Sequence, residues 1–414
     1  MSLELSTSRY KLEDICLQIT DGKHGDCENQ ENSGYYFVSV KDIDDGVINY
    51  SNARQITKFD FEDTDKRTKL ENEDILITNS GTIGKFVFVN SPLSRKTTFQ
   101  KSVAIIKPNK NKIMPKFLYY YLISEKRRLV EYAGGTTQKN LLLRDIRNFE
   151  VEIPNETRQK KIIELLNNID QLISVNKKLN KNLRNLIKIL YKDYFESFEL
   201  NNIPNDWEII NLESIIDIYN GYSYKGKELQ ESNCGIVTIK NFNRDGSFRI
   251  DGFKEIVYST KIKKHHFINE NDVLISCTDV TQDADIIGNC IIVLDKQKYN
   301  ELIMSMDLVK IESKIPEINN FLLATIFKSY SFKKHILGYV NGTTVLHLDK
   351  KGIKKFKIAL PKDLSELKNI SERLEIFYSE IQCNQKEINK LVNLRDALLP
   401  KLMSGEIDVS KFEI

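Results

Sequence analysis

Two long stretches of the chain carry apolar residues at intervals that alternate between three and four residues. The first series runs from Ile162 to Tyr194 and the second from Leu367 to Leu402. A period of about 3.5 residues sustained over roughly five heptads is typical of a coiled-coil seam. We therefore predict two long spacer helices, over 156–198 and 364–405, in preference to two surface helices packed on their own domains.

Asparagine interrupts both series near the middle. Asn176 and Asn180 occupy seam positions in the first series, and Asn384 occupies one in the second. If the second helix returns along the first, the pair is antiparallel and these residues meet. Buried asparagine in a coiled coil lowers stability but specifies register. We predict that the three asparagines fix the register, and the alternative is that they are simply solvated.

Short apolar or alternating runs outside these stretches predict strands, because they are bounded by Gly, Asn and Asp clusters. Examples in the first half are "DILIT" (74–78), "SVAIIK" (102–107) and "FEVEIP" (149–154). One helix is predicted among them, from Pro115 to Tyr132, and its counterpart in the second half from Pro316 to Leu337. Proline favours both starts because it fits the first helical position. Each half is thus predicted to be α+β with a mainly β body.

The two halves share sequence phrases in the same order. "YAGGTTQKN" (132–140) recurs as "YVNGTTVLH" (339–347), 207 positions later (339 − 132). "ENEDILIT" (71–78) likewise recurs as "NENDVLIS" (269–276). Such self-similarity indicates a tandem repeat. The predicted fold is α+β: two similar mainly-β domains separated by two helices that form an intramolecular antiparallel coiled coil, with pseudo-two-fold symmetry. Domain limits are predicted at 1–155 and 199–363, with a tail at 406–414.

Composition narrows the class of protein without naming a function. With 41% apolar and 29% charged residues among 414, the chain reads as globular. No apolar run approaches the roughly 18 residues of a membrane span, and the start lacks a signal-peptide pattern, so we predict a cytoplasmic location. The six cysteines form no Cys-x-x-Cys pair, and the adjacent His265 and His266 are expected to be exposed, so no metal site is predicted.

The net charge gives no indication of a nucleic-acid partner. It is only +3, from 61 basic and 58 acidic residues. Phosphate contacts need a basic surface and not a basic whole, so the local distribution of charge must decide this point.

Several phrases, taken together and in order, resemble the DNA-specificity subunits of Type I restriction-modification systems. They are "SGTIGK" (80–85), the junction "GTTQKNL" to "RQKKI" (135–162), "IPNDWEIINL" (203–212) and "LRDALLPKLMSGEI" (394–407). The resemblance covers almost the whole chain. It departs in the second copy, where "CTDVTQDADIIGN" (277–289) stands in place of "SGTIGK".

The resemblance implies two target-recognition domains, each reading one half of a split, asymmetric sequence in double-stranded DNA. It implies that the helices act as a spacer and as a docking surface for two methyltransferase subunits, with motor-nuclease subunits completing the complex. It also implies that this chain is not an enzyme and binds no cofactor, since S-adenosylmethionine is used by the methyltransferase partner.

The residues agree with a non-catalytic chain. An Asn/Asp-Pro-Pro-aromatic segment of a methyltransferase is missing, and its nearest approach is "NSPL" (90–93). Three alternatives stay open: a subunit of a Type II-like system, a fused enzyme with unrecognised chemistry, and a coiled-coil adaptor that binds only proteins.

Polar, glycine-containing loops are the candidate DNA contacts, because base readout needs donors and acceptors above a rigid body and basic residues near the phosphates. Any turn has a similar composition. The candidates in the first copy are Lys23, His24, Lys41, Asn79, Ser80, Thr82, Lys85, Arg95, Lys96, Thr136, Thr137, Gln138 and Lys139. The candidates in the second copy are Tyr224, Lys225, Lys240, Asn241, Arg244, Thr278, Gln282, Thr343, Thr344 and His347.

The repeated Gly-Thr-Thr (135–137 and 342–344) is predicted to contact a phosphate or to position the backbone, because both copies keep it. A structural turn that closes the sheet is the alternative. The residues that follow it differ between the copies, with Gln138 and Lys139 in the first and 345–347 in the second. These differing residues are predicted to discriminate between bases.

Overall fold

The computed structural model describes residues 7–44, 46–134, 140–197, 202–244, 246–280 and 283–409. The chain divides into two compact units, one formed by residues 1–172 with 391–414 and the other by residues 173–390. Each unit has its own sheets and takes part of each of two long helices.

The first unit is built around a four-stranded antiparallel sheet. Its strands are β1 Ser8–Lys11, β2 Cys16–Asp21, β3 Tyr36–Val38, β4 Ile43–Asp44, β5 Val47–Ile48, β6 Arg54–Gln55, β7 Ile75–Thr78, β8 Phe86–Phe88, β9 Thr97–Phe99, β10 Val103–Pro108 and β11 Glu150–Ile153. Its helices are α1 Lys58–Thr68, α2 Pro115–Ser124, α3 Lys126–Glu131 and α4 Leu143–Arg147, and the long helix α5 Glu156–Phe195 begins here. The main sheet has the order β2-β10-β7-β8, while β3 pairs in parallel with β9.

The second unit repeats this plan. Its strands are β12 Trp207–Asn211, β13 Ile216–Asn220, β14 Cys234–Val237, β15 Lys254–Glu255, β16 Phe267–Ile268, β17 Val273–Ser276, β18 Thr278–Asp279, β19 Cys290–Ile292, β20 Glu301–Met304, β21 Leu308–Ser313, β22 Val340–Asn341, β23 Leu346–Leu348 and β24 Lys357–Pro361. Its helices are α6 Asn320–Phe327, α7 Tyr330–Leu337, α8 Lys351–Lys355 and the long α9 Leu367–Ser404. The sheet β13-β21-β17-β19 has the same strand order as the main sheet of the first unit. The predicted α+β fold and its internal repeat are confirmed.

Continuous apolar strands explain why the main sheet is buried on both faces. In β7, Ile75 and Ile77 belong to one core cluster and Leu76 belongs to another. Successive side chains of a strand point to opposite faces, so each apolar residue reaches one of two cores. Phe117 of α2 covers the first of these faces. The loops at the strand ends therefore start from a sheet that is buried on both faces.

The two long helices meet along the predicted apolar seam and run antiparallel. In the first unit, Arg158 Nη2 donates to Leu402 O at 3.1 Å, and Arg395 Nη1 lies 3.2 Å from Asp170 Oδ1. The partner number falls along α9 as the number rises along α5, which defines the direction. Asp170 also accepts a hydrogen bond from the Tyr120 hydroxyl at 2.7 Å. Arg395 therefore places a positive charge in the seam, where the carboxylate of Asp170 is its partner.

Each of the two predicted domain helices is a pair of consecutive helices in the structure. The first is α2 with α3, and the second is α6 with α7. The predicted start at Pro316 was wrong, because α6 begins at Asn320, where the side chain of Asn319 accepts the Leu322 amide at 3.0 Å. Ser329 caps α7 in the same way, accepting the Phe332 amide at 3.1 Å. Asparagine and serine are among the residues preferred at the N-cap, which explains both observed starts. No helix among the described residues is both long and apolar enough to cross a membrane.

Candidate nucleic-acid interface

A cavity of about 530 Å³ in the first unit brings together three of the predicted DNA contacts. His24, Asn79 and Ser80 line it, with Lys101 and Asn140 beside them. The main chain fixes this arrangement, because the Asn79 amide donates to Ser102 O at 3.0 Å and Ser80 pairs with Asn140 in a β-bridge. The loop after β7 is thus tied to the segment that precedes α4.

The electrostatics of this cavity depend on a buried carboxylate. Asp21, at the end of β2, lies with Oδ2 3.0 Å from His24 Nε2 and also accepts a hydrogen bond from Arg67. The Asn79 side chain is buried, and its Oδ1 has no hydrogen-bond partner among the described residues. Asp21 was not a predicted site residue, although it lies just before the predicted contacts Lys23 and His24 in the sequence. Arg67 lies on α1, which no sequence signal identified.

A compact turn joins β7 to β8, where "SGTIGK" was singled out. Thr78 Oγ1 donates to Thr82 O at 2.6 Å and accepts the Lys85 amide at 2.9 Å. Gly81 and Gly84 have φ of +72° and +80°, which only glycine adopts readily. Thr82 is exposed, whereas Lys85 Nζ donates to Ile43 O at 2.6 Å. The turn is therefore held by its own side chains.

Among the other predicted basic contacts of the first unit, Lys23 and Arg95 form ion pairs with carboxylates. Lys23 Nζ lies 2.7 Å from Asp60 Oδ1, a hydrogen bond that raises the pKa of this lysine. Arg95 pairs with Glu71 at 3.0 Å. Lys41 and Lys96 are exposed. Four candidates lie outside the described residues: Thr136, Thr137, Gln138 and Lys139.

A small sheet in the second unit gathers four predicted contacts. Its strand order is β18-β23-β22, and Thr278 pairs with His347. Thr343, Thr344 and His347 are exposed at the β22–β23 hairpin. Of the residues predicted to discriminate in this copy, Leu346 is buried in the core, so Val345 and His347 are the exposed ones.

Gly342 opens this hairpin and cannot be replaced without strain. Its φ is +116°, and a Cβ atom there would lie 2.2 Å from Val345 O. In this copy the backbone geometry therefore favours the alternative that the sequence left open, in which the glycine of the repeated Gly-Thr-Thr is needed for a structural turn.

The remaining candidates of the second unit lie on separate loops. Tyr224 is half-buried, and burial raises the pKa of its hydroxyl, while Lys225 and Lys240 are exposed. Asn241 is fully buried; it accepts the Thr238 amide at 2.9 Å and donates to Arg249 O at 3.0 Å. A direct contact of Asn241 with DNA would require these bonds to break. Arg244 lies 3.4 Å from Asp285. Gln282 lies outside the described residues.

Two of the three seam asparagines are joined directly. Asn384 Nδ2 donates to Asn180 Oδ1 at 3.0 Å, and Asn180 Nδ2 lies 3.4 Å from Ile381 O. Asn180 is buried, whereas Asn176 and Asn384 are half-buried. The sequence periodicity thus correctly predicted that Asn180 and Asn384 meet. Their role in setting the register stays a prediction.

Residues that could hold a metal ion are not grouped in the part of the chain that the structure describes. The expectation that both adjacent histidines are exposed was wrong, because His266 is buried and its Nδ1 accepts the Lys263 amide at 3.0 Å. Burial lowers the pKa of His266. The exposed candidates at the loops carry hydroxyl, imidazole, ammonium and guanidinium groups, which can contact base edges and phosphates.

Comparison with known proteins gives consistent matches across both halves of the chain. The family model described as "Type I restriction modification DNA specificity domain" matches residues 8–185 and 204–393. The putative type I restriction enzyme MjaX specificity subunit of Methanocaldococcus jannaschii is 26% identical, covering 96% of this chain and 93% of that protein. The MjaVIII specificity subunit of the same organism is also 26% identical, covering 92% and 88%. The solved structure of a Type I restriction-modification S subunit from M. genitalium has the same fold, with a TM-score of 0.57, 16% identity and 97% of each chain covered.

Proposed function

The chain belongs to the Type I restriction-modification DNA specificity family, and we propose that it reads a split, asymmetric DNA target through its two repeated domains. As a specificity subunit it recognises sequence and leaves catalysis to partner subunits. Each domain reads one half of the target, and the long helices set the distance between the halves.

The single observation that carries this proposal is a framework that the two units share, combined with loops that differ between them. The sheets β2-β10-β7-β8 and β13-β21-β17-β19 have the same order. Thr78 and Ser276 close equivalent turns, because their amides donate to Lys85 O and Asn289 O, each at 3.0 Å. The turn from Thr78 ends at Lys85, whereas the one from Ser276 extends to Asn289. Similar scaffolds with different loops suit two readers of different half-sites.

The spacer role leads to a numerical expectation. Two domains that face one stretch of duplex suit half-sites about one helical turn apart, roughly 10 base pairs. One added heptad lengthens a helix by about 10 Å, at 1.5 Å per residue, which corresponds to about three base pairs. Inserting a heptad into both α5 and α9 should lengthen the gap of the recognised sequence by about that amount. An unchanged gap would contradict the spacer role.

A second apolar face of α5 supports the scaffolding role. Val175, Leu179, Leu186 and Ile189 are 54%, 46%, 48% and 56% exposed. At 100° per residue they fall within an arc of about 80°, well away from the buried residue Ile187 of the seam. Exposed apolar residues at heptad spacing fit a partner helix. We define these four residues as the outer stripe and assign it to a methyltransferase subunit.

The complete assembly follows from the family assignment. We propose two methyltransferase subunits per chain, with motor-nuclease subunits added for restriction, in the cytoplasm. S-adenosylmethionine is then bound by the methyltransferase and not by this chain.

Selection from a randomised double-stranded library tests the proposal. The chain co-purified with its methyltransferase should enrich two short motifs separated by a fixed gap, and binding should weaken as salt rises because phosphate contacts release counterions. Enrichment of one uninterrupted motif would contradict the split reader. Absence of salt-dependent DNA binding would favour the protein-only adaptor.

Labelled S-adenosylmethionine decides the enzymatic alternative. Methyl transfer to DNA by the purified chain alone would refute a non-catalytic subunit.

A further inference from the structure

The second unit contains a cavity of about 540 Å³, and Arg244 is the one predicted DNA contact among the described residues that line it. One wall is the face of α5 that carries Arg184, Lys188 and Lys192, and the opposite wall comes from β19, α6 and α7. A volume of this size is within the range of small-molecule sites, about 300–1,000 Å³. We call it the cationic cavity.

Charge around the cationic cavity is strongly one-sided. Of the described residues that line it, six are lysine or arginine and one, Glu196, is acidic. Glu196 already accepts a hydrogen bond from Ser331 Oγ at 2.8 Å. Lys333 is also engaged in hydrogen bonds within the protein, because its Nζ donates to Ile287 O at 2.6 Å and to Asn289 Oδ1 at 2.8 Å. Arg244 lies 3.4 Å from Asp285, and Lys328 Nζ lies 5.5 Å from the centre of the Tyr378 ring, so the charge available to a ligand comes mainly from α5.

Three cations on α5 have no carboxylate partner within the described part of the chain. Neither an ion pair nor a side-chain hydrogen bond joins Arg184, Lys188 or Lys192 to another described residue. Spaced four residues apart, they form a row with about 6 Å between neighbours. Arg184 is half-buried and lies near Tyr378; burial raises the pKa of the Tyr378 hydroxyl, and the charge of Arg184 opposes part of that rise. A partly desolvated cation without a counter-ion favours an anionic ligand.

The floor of the cationic cavity is apolar. Ile187, Tyr191, Phe248, Phe327 and Ile381 line it and are buried or nearly so. Such a surface suits a flat, weakly polar ring, and not a simple inorganic anion.

A row of cations beside an apolar floor matches a ligand with a planar ring at one end and several phosphates at the other. We propose that the cationic cavity binds a purine nucleoside triphosphate, with the base on the apolar floor and the phosphates along Arg184, Lys188 and Lys192. This inference is independent of the proposed DNA reading. The residues of the outer stripe lie on a different side of α5.

Isothermal titration of the full chain with ATP and with GTP tests the proposal. We expect saturable one-to-one binding of at least one of them. Adenosine, which lacks phosphates, and tripolyphosphate, which lacks a base, should each bind at least about tenfold more weakly. Absence of binding by both nucleotides would overturn the proposal, and so would tripolyphosphate binding as tightly as ATP.

A matched pair of variants separates a site from general charge attraction. Lys188→Glu with Lys192→Glu should weaken nucleotide binding at least about tenfold. Lys178→Glu with Lys181→Glu makes the same charge change on exposed positions of α5 outside the cavity, and should leave binding within about twofold. Equal losses in both double variants would overturn the site. Circular dichroism confirms that each variant is folded.

The phosphates could instead belong to DNA. A short duplex of unrelated sequence is therefore titrated against the ATP complex. Retention of ATP supports a free nucleotide, whereas full displacement with loss of duplex binding in the Lys188/Lys192 variant would overturn it in favour of DNA phosphates.

Discussion

The Asn180–Asn384 hydrogen bond offers a quantitative test of the helix pair. Replacing Asn180 with alanine removes the acceptor of the 3.0 Å bond from Asn384 Nδ2 and the weaker contact with Ile381 O. A net hydrogen bond contributes about 0.5–1.5 kcal/mol, and an amide left without a partner costs about 1–3 kcal/mol. Because Asn384 is only half-buried, water meets part of that cost. We expect Asn180→Ala to lower the free energy of unfolding by about 2 kcal/mol.

The double replacement should behave differently from the sum of the single ones. Asn180→Leu with Asn384→Leu leaves no polar group unpaired and adds apolar burial at a position that is 2% exposed. We expect the double variant to be at least as stable as the natural chain, while each single leucine variant is less stable. The coupling energy between the two sites should be about 1 kcal/mol, since the residues contact each other directly.

Urea unfolding followed by helical circular dichroism measures these differences. Asn182→Ala is the matched control, because Asn182 is an exposed asparagine on the same helix, and it should change stability by less than about 0.5 kcal/mol. A loss at Asn180 no larger than that of the control, or additive effects of the two leucine replacements, would refute the structural coupling.

Three further predictions use surface positions. Leu179→Glu with Leu186→Glu should abolish methyltransferase binding in co-purification while Lys178→Glu does not, and binding that survives would remove the outer stripe from the interface. His347→Ala should reduce base preference in the second half-site by about 1–3 kcal/mol per lost contact, with the first half-site as internal control in a library selection; unchanged preference would exclude His347 as a reader. Cys383 is the exposed thiol among the six, Cys16 is half-buried and the other four are buried, so a maleimide should label Cys383 first, and an unchanged labelling rate in Cys383→Ser would contradict this order.

Buried thiols support the last prediction. Burial raises the pKa of Cys277 and of Cys290 to about 12, so both are protonated at neutral pH and shielded from reagents.

Periodicity in the sequence was sufficient to predict the long helices and the strands of the main sheets. A 3.5-residue period reports a seam directly, and apolar runs such as "DILIT" become buried strands because no other location hides so many apolar side chains. Helix α1 escaped prediction for the opposite reason. Its buried residues are Phe61, Thr64 and Thr68, and because two of the three are threonines the sequence shows no apolar face.

The candidate interface was harder to predict, because its geometry comes from contacts between distant segments. Arg67 reaches Asp21 across 46 positions, and no local pattern relates the two residues. The outer stripe was also missed, since the search for a seam accounts for one apolar face and leaves a second unexamined. Loop composition identified His24, Asn79 and Ser80 as candidates without relating them to one another, and it could not distinguish an exposed side chain from a buried one such as Asn241.

Mapping methylated adenines across the genome, in cells with and without this chain, tests whether the chain reads a split DNA target. We predict one asymmetric motif made of two different half-sites with a fixed gap, methylated only when the chain is present. A continuous or palindromic motif, or methylation that persists without the chain, would contradict it.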